Sequence, residues 1–121
     1  MERPDIGMDY PVLDCPEPAA LAGFYEQLLG WRTIRAEADW HVIAGVGGQR
    51  LAFQLAPDFR PIDWPAVGVG VHLDLTVESL DLGEEWAINL GAERITGIAE
   101  HPDFRVYRDP VGHYFCLCRQ T

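Results

Sequence analysis

The stretch Pro18-Ala19-Ala20-Leu21-Ala22-Gly23-Phe24-Tyr25-Glu26-Gln27-Leu28-Leu29-Gly30 decides how the rest of the chain is read. From Ala19 to Leu29, the residues Leu21, Phe24, Tyr25, Leu28 and Leu29 follow the i, i+3, i+4, i+7, i+8 stripe of a helix with one face toward a core. Pro18 suits the first turn, where its missing N–H would have no partner, and Gly30 suits the stop. Upstream, Ile6 to Leu13 reads as a strand. Downstream, Trp31 to Arg35, Trp40 to Ala44 and Leu51 to Leu55 read as three short strands. Gly45, Gly47 and Gly48 turn the last two into a hairpin.

The same order recurs. Val69 to Val77 is a strand rich in β-branched residues, and Leu80 to Leu90 is a helix with Leu82, Trp86, Ala87 and Leu90 on one side. Ser79 is its expected N-cap and Gly91 its stop, while Gly83 weakens its interior by about 1 kcal/mol relative to Ala. Ala92 to Thr96, Phe104 to Arg108 and His113 to Cys118 follow as strands, with Asp109, Pro110 and Gly112 in the final turn. Adding 62 to the residue number takes Leu13 to Leu75, Phe24 to Trp86, Leu28 to Leu90, Phe53 to Phe115 and Leu55 to Leu117, and a shift of 61 takes Gly30 to Gly91. A duplicated unit explains this better than chance does.

The expected fold is therefore one α+β domain of two tandem βαβββ modules, about 6–56 and 69–119, joined by a linker over 57–68. The linker carries Phe59 and Trp64 between prolines. Two such units, each with one apolar sheet face to bury, can curve around a shared trough lined by alternate strand residues.

Bulk properties exclude several function classes. A net charge of −10 disfavours a nucleic-acid partner, because binding a polyanion needs clustered Lys and Arg. Met1 to Tyr10 has no apolar core, so it is not a signal peptide, and no run approaches the ~20 apolar residues of a membrane span. Cys15, Cys116 and Cys118 are odd in number and lack framework spacing, so reduced thiols in the cytoplasm are the economical reading. Cys116 and Cys118 should point the same way on one strand, with Leu117 opposed. There is no phosphate loop and no serine nucleophile elbow.

Three segments in this order resemble the vicinal oxygen chelate superfamily, which includes glyoxalase I, extradiol dioxygenases, fosfomycin-resistance enzymes and bleomycin-binding proteins. They are Leu13-Asp14-Cys15-Pro16-Glu17-Pro18 leading into Phe24-Tyr25 and Leu28-Leu29-Gly30; His72-Leu73-Asp74-Leu75-Thr76-Val77 with Leu90-Gly91-Ala92; and Asp109-Pro110-Val111-Gly112-His113. The resemblance spans nearly the whole chain and is specific for the superfamily rather than for one activity. It implies a homodimer and a small-molecule ligand. It also implies four metal-ligand positions, which fall here on Tyr10, Gln54, His72 and Cys116. His72 matches the pattern. Gln54 and Cys116 stand where Glu is usual, and Tyr10 where His or Gln is usual.

That departure matters. A hard divalent cation needs oxygen donors, and a Cys with one His is usually too few for zinc. No metal ligand is assigned and no cofactor is expected, although a divalent metal stays an open alternative. His72 is then the expected general base and Cys116 a nucleophile it could activate, against the alternatives of a hydrogen-bonded strand histidine and a small buried hydrophobe. Tyr10 and Gln54 would orient the substrate, and Trp40, Phe59 and Trp64 would wall or cover it, unless the linker merely pins itself with Trp64. Arg60 and Arg105 sit in similar Asp-Phe-Arg triplets, and either could pair with a substrate carboxylate, with Arg105 taken as the candidate, against the alternative of a solvated strand-edge arginine. Two functions fit: a glyoxalase-like small-molecule enzyme with a degenerate or absent metal site, and a non-catalytic, bleomycin-resistance-like protein that sequesters a drug or metabolite.

Overall fold

Each half of the chain closes a sheet of its own. In the computed structural model, which describes residues 1–64, 68–97 and 101–120, the first module runs β1 (Val12–Cys15), α1 (Pro18–Leu29), β2 (Arg32–Glu37), β3 (Trp40–Ala44) and β4 (Arg50–Leu55). The second runs β5 (Leu73–Val77), α2 (Leu80–Asn89), β6 (Glu93–Ile95), β7 (Phe104–Arg108) and β8 (Tyr114–Arg119). The sheets have the matching orders β1-β4-β3-β2 and β5-β8-β7-β6. In both, the first and last strands of the module pair in parallel and the other pairs are antiparallel. The duplication is real. Residues 65–67, at the end of the expected linker, lie outside the described residues.

Local chemistry explains the helix ends. Gly30 stops α1 in the left-handed region (φ 71°), its N–H donating to the Glu26 carbonyl at 2.8 Å. Ser79 Oγ accepts from the Leu82 N–H at 3.2 Å and caps α2. The expected apolar face of α2 needs correction. Leu82 and Trp86 are 69% and 46% exposed, and Leu80 and Ala87 are the buried residues. Gly83 sits on the packed side: a Cβ there would lie 3.0 Å from a Val77 methyl and 3.2 Å from a Leu117 methyl. The glycine that costs helix propensity is what lets α2 approach its sheet.

The expected first strand also begins later, at Val12 rather than Ile6, and residues 1–11 belong to no strand. The last rung there is the Ala52 N–H donating to the Pro11 carbonyl, and proline has no N–H to return. Likewise β5 begins at Leu73 rather than Val69, after Gly70 in the left-handed region (φ 79°).

The strand register shows what the apolar pattern could not. Leu13 faces Phe53 across the β1–β4 ladder, whereas the residue facing Phe115 across β5–β8 is Leu73, not Leu75. The two modules therefore differ by a two-residue slip. A slip of two keeps every side chain on its own face, so hydrophobic periodicity is blind to it.

One core serves both modules. Tyr25 of α1 stacks on Phe53 (5.8 Å) and meets Phe115 edge-on (6.2 Å), and Tyr107 stacks on Phe115 (5.4 Å). Beside this cluster Asp109 is only 3% exposed, yet fully satisfied. Its Oδ2 accepts from the Tyr25 hydroxyl at 2.7 Å, and its Oδ1 accepts from the N–H groups of Val111, Gly112 and His113 at 2.8–3.0 Å. The Asp-Pro-Val-Gly-His turn is thus a carboxylate-centred knot that the first module's helix holds. Trp86 Nε1 adds a second tie across the modules, donating to the Gln27 carbonyl at 3.0 Å.

Replacing Tyr25 by Phe keeps the ring stack and removes one donor from a buried carboxylate. It should lower the urea unfolding free energy by about 2 kcal/mol. A loss below about 0.5 kcal/mol would show that the three backbone donors suffice.

Candidate functional site

Strand alternation puts His72 and Asp74 on the sheet face away from α2, while Leu73 and Leu75 pack against the main core. On the neighbouring β8, Cys116 faces Asp74 directly across the parallel ladder. His72 Nε2 lies 3.1 Å from Asp74 Oδ1. One potential ligand atom from each of His72, Asp74 and Cys116 falls within 4.8 Å of the other two. Among the described residues no other His, Cys, Asp or Glu trio comes together in this way.

The surroundings hold these groups in place. The Trp64 ring stacks on the His72 ring (5.6 Å, 21°) and meets Tyr114 edge-on at 5.5 Å. The Tyr114 hydroxyl accepts from the Trp64 N–H at 3.0 Å and from the Arg108 guanidinium at 2.8 Å. Cys116 is buried with Val106 and Tyr114 in a second small cluster. Burial, and then the neighbouring Asp74 carboxylate, push its thiol up to about 12. A thiol that holds its proton so firmly is not a thiolate nucleophile, so the expected role of Cys116 as nucleophile finds no electrostatic support.

His72 opens onto a cavity of about 510 Å³ between the modules. Val12 and Asp14 line it from β1, Phe59 and Ile62 from the linker, and His113 and Tyr114 from the second module. The linker both roofs this space and is pinned. Phe59 stacks on His113 at 4.7 Å, and His113 Nε2 lies 2.6 Å from the Asp14 carbonyl, bridging the modules. Pro61 packs so closely on Gly112 that a Cβ there would lie 2.5 Å from the proline ring.

The other expected site residues are placed elsewhere. The Tyr10 ring lies against Trp40 (6.1 Å) and under the Arg50 guanidinium (5.1 Å), on the first module, and neither Tyr10 nor Trp40 lines the cavity. Gln54 is exposed and faces Asp14 and Trp40 in the ladders. Arg105 is on the helix side of its sheet, bound to Asp81 at 2.9 Å and near Glu84 at 3.5 Å, so it does not serve the trough. It alternates with Val106, whose side chain is on the other face, and its partner opposite is the core residue Leu117.

The register decides whether the four implied ligand positions can act together. Two residues after His72 comes Asp74, which faces Cys116, whereas two residues after Tyr10 comes Val12, which faces Ala52. Gln54 is two residues beyond Ala52, roughly 7 Å further along the strand. The first-module pair therefore does not reproduce the second-module pair. Asp14, His113 and Tyr114 of the cavity wall and Asp74 beside His72 were not among the expected site residues. Asp74 was legible as the residue two after His72, hence on the same strand face.

The match to family models decides the relationship: residues 11–118 match the glyoxalase-like domain. The chain belongs to the glyoxalase-like family. Its fold is that of the glyoxalase/bleomycin-resistance/dioxygenase proteins. A family enzyme from Burkholderia phytofirmans superposes with a TM-score of 0.72 at 19% identity, covering 92% of this chain and 96% of its own. A glyoxalase/bleomycin resistance protein from Albidiferax ferrireducens gives 0.65 at 16%, covering 94% and 98%. A variant of the fosfomycin resistance protein of Listeria monocytogenes, solved with manganese(II) and a dihydroxypropylphosphonic acid, gives 0.74 at 14%, covering 95% and 90%. No curated protein matches the chain. Among the described residues of this glyoxalase-like chain, no helix is long and apolar enough to cross a membrane.

The raised Cys116 thiol sets a pH dependence. Its ordinary value is 9.0 and its folded value about 12, so the folded protein keeps a proton that the unfolded chain gives up. Its contribution to stability is complete below pH 9 and is lost as pH rises from there through 12. Thermal melts should therefore decline above pH 9, and Cys116→Ser should decline less steeply. Equal slopes for the two proteins would contradict the burial argument.

Proposed function

We propose that this chain is a glyoxalase-like small-molecule enzyme whose substrate occupies the inter-module cavity, with its reacting end at His72. The observation that carries the reading is His72 itself. It belongs at once to the wall of a 510 Å³ space and to a polar cluster of the second module in which imidazole, carboxylate and thiol converge. A pocket with mainly apolar walls and a few convergent polar groups is the usual form of a small-molecule site. The size suits a compact organic molecule, and the single wall of chemistry suits one polar end on it.

Sequestration is the second reading, and the apolar character of Val12, Phe59, Ile62, Val69 and Val71 around the cavity supports it. Both readings take a homodimer from the family resemblance. Ile6, Met8 and Val71, which are 73%, 91% and 77% exposed, offer apolar surface for a second copy. Three free cysteines, two of them buried, support a reducing, cytoplasmic setting.

Screening compact organic molecules by thermal shift in chelator-treated buffer, with mass spectrometry of the mixtures, separates the readings. Binders should raise the melting temperature, and an enzyme should also return a changed molecule. Ile62→Trp should fill the space and abolish the shifts. His72→Ala should weaken binding by about tenfold, the equivalent of one lost polar contact of 1.4 kcal/mol. Ligands that bind both variants as well as wild type would place the site elsewhere.

A further inference from the structure

The wall of the inter-module cavity carries a charge that nothing in the fold answers. We propose that the ligand of this cavity is a cation, an ammonium group borne on a compact apolar body, with the Asp14 carboxylate as its counter-ion. The proposal rests on the reading above that the cavity is the binding site, and it names the chemical class which that site accepts.

Three observations carry it. First, the fixed charge on the wall has one sign. Among the described residues that line the cavity, Asp14 is the single acid and none is an arginine, and the chain has no lysine at all. The Asp14 carboxylate makes no hydrogen bond or ion pair with a described residue, whereas Asp109 has four donors and Asp74 has His72. Arg108 reaches only the Tyr114 hydroxyl, at 2.8 Å, and stands near Glu93. Second, the other polar groups of the wall are mainly acceptors. His113 Nε2 lies 2.6 Å from the Asp14 carbonyl oxygen, which can only accept, so Nε2 carries the proton and Nδ1 of the uncharged ring is an acceptor. His72 Nε2 faces an Asp74 carboxylate oxygen at 3.1 Å, which selects the same tautomer, and a charged ring there would already be matched by Asp74. The Tyr114 hydroxyl accepts twice and keeps one proton to donate. Acceptors around a carboxylate suit the N–H donors of an ammonium group and leave an anionic ligand without partners. Third, Val12, Phe59, Ile62 and Val71 make much of the remaining wall apolar, so a bare inorganic cation would leave it unfilled. The net charge of −10 also draws cations toward the protein and repels anions.

The test compares three molecules of similar size on the full chain. Phenethylamine, phenethyl alcohol and hydrocinnamate are titrated at neutral pH and followed by the chemical shifts of isotope-labelled protein. The amine should bind about fivefold more tightly than the alcohol, the scale of a solvent-screened ion pair, and hydrocinnamate should bind more weakly than either. Added salt should shrink the preference. Asp14→Asn should bring the amine down to the affinity of the alcohol and leave the alcohol unchanged. Asp14 is exposed and the substitution keeps the carbonyl that His113 uses, so the fold is preserved. Glu85→Gln removes the same charge from the exposed side of α2 and should keep the preference. An amine that does not bind, an alcohol or hydrocinnamate that binds as tightly, a preference that survives Asp14→Asn, or one lost equally in Glu85→Gln would each overturn the proposal. Ile62→Trp separates this failure from that of the cavity itself. If it blocks ligands that show no preference for charge, the cavity reading stands without the cation; if it blocks none of them, both fall.

Discussion

A buried carboxylate cannot be left without donors, and the way Asp109 meets that requirement organises the molecule. A lone ionised side chain at 3% exposure would cost several kcal/mol or more. Here three N–H groups of its own turn and the Tyr25 hydroxyl satisfy it. The turn donors fix the β7–β8 hairpin tip, and the tyrosine fixes that tip against the first module's helix. His113, Tyr114 and Cys116 follow directly along the chain, so the carboxylate also sets where the chemical groups of the second module stand. His113 then reaches back to the Asp14 carbonyl, and Gly112 leaves room for Pro61. Fold, linker and cavity thus share one polar anchor.

Duplication has given the two modules the same element order and different chemistry. The trough-facing pair on the second module is acid and thiol, Asp74 opposite Cys116. The matching pair by strand register on the first is Asp14 opposite Gln54. Two residues before these acids stand His72, just ahead of β5, and Val12, the first residue of β1. The two-residue slip removes the equivalence of the two ladders. What remains is an asymmetric cavity. The first module and linker supply mainly apolar wall, and the second supplies imidazole, carboxylate and thiol.

The linker joins these two roles. Phe59 and Trp64 stack on the two histidines that border the cavity, His113 and His72. The linker is pinned through these rings on two residues of the cavity wall. Shape and polarity at the cavity therefore depend on the same aromatic contacts.

The sequence by itself determined the element order, the duplication, the helix ends and the superfamily. Each of these rests on local periodicity, on capping chemistry or on motifs a few residues long. It also placed His72 and Cys116 together, since both fall at family positions within one module. Only the tertiary structure decided the rest. The ladder offset between β1 and β4 differs by two residues from that between β5 and β8, and a period-two pattern cannot register such a difference. Arg105 was drawn to Asp81 and Glu84 because α2 packs over its face of the sheet, and Tyr10 settled on Trp40 and Arg50 because β1 begins after it. Asp74 acquired its meaning only when the parallel ladder set it opposite Cys116. Which side chains share a strand face is local information, but which face they meet across a ladder is settled by the packing of the whole chain.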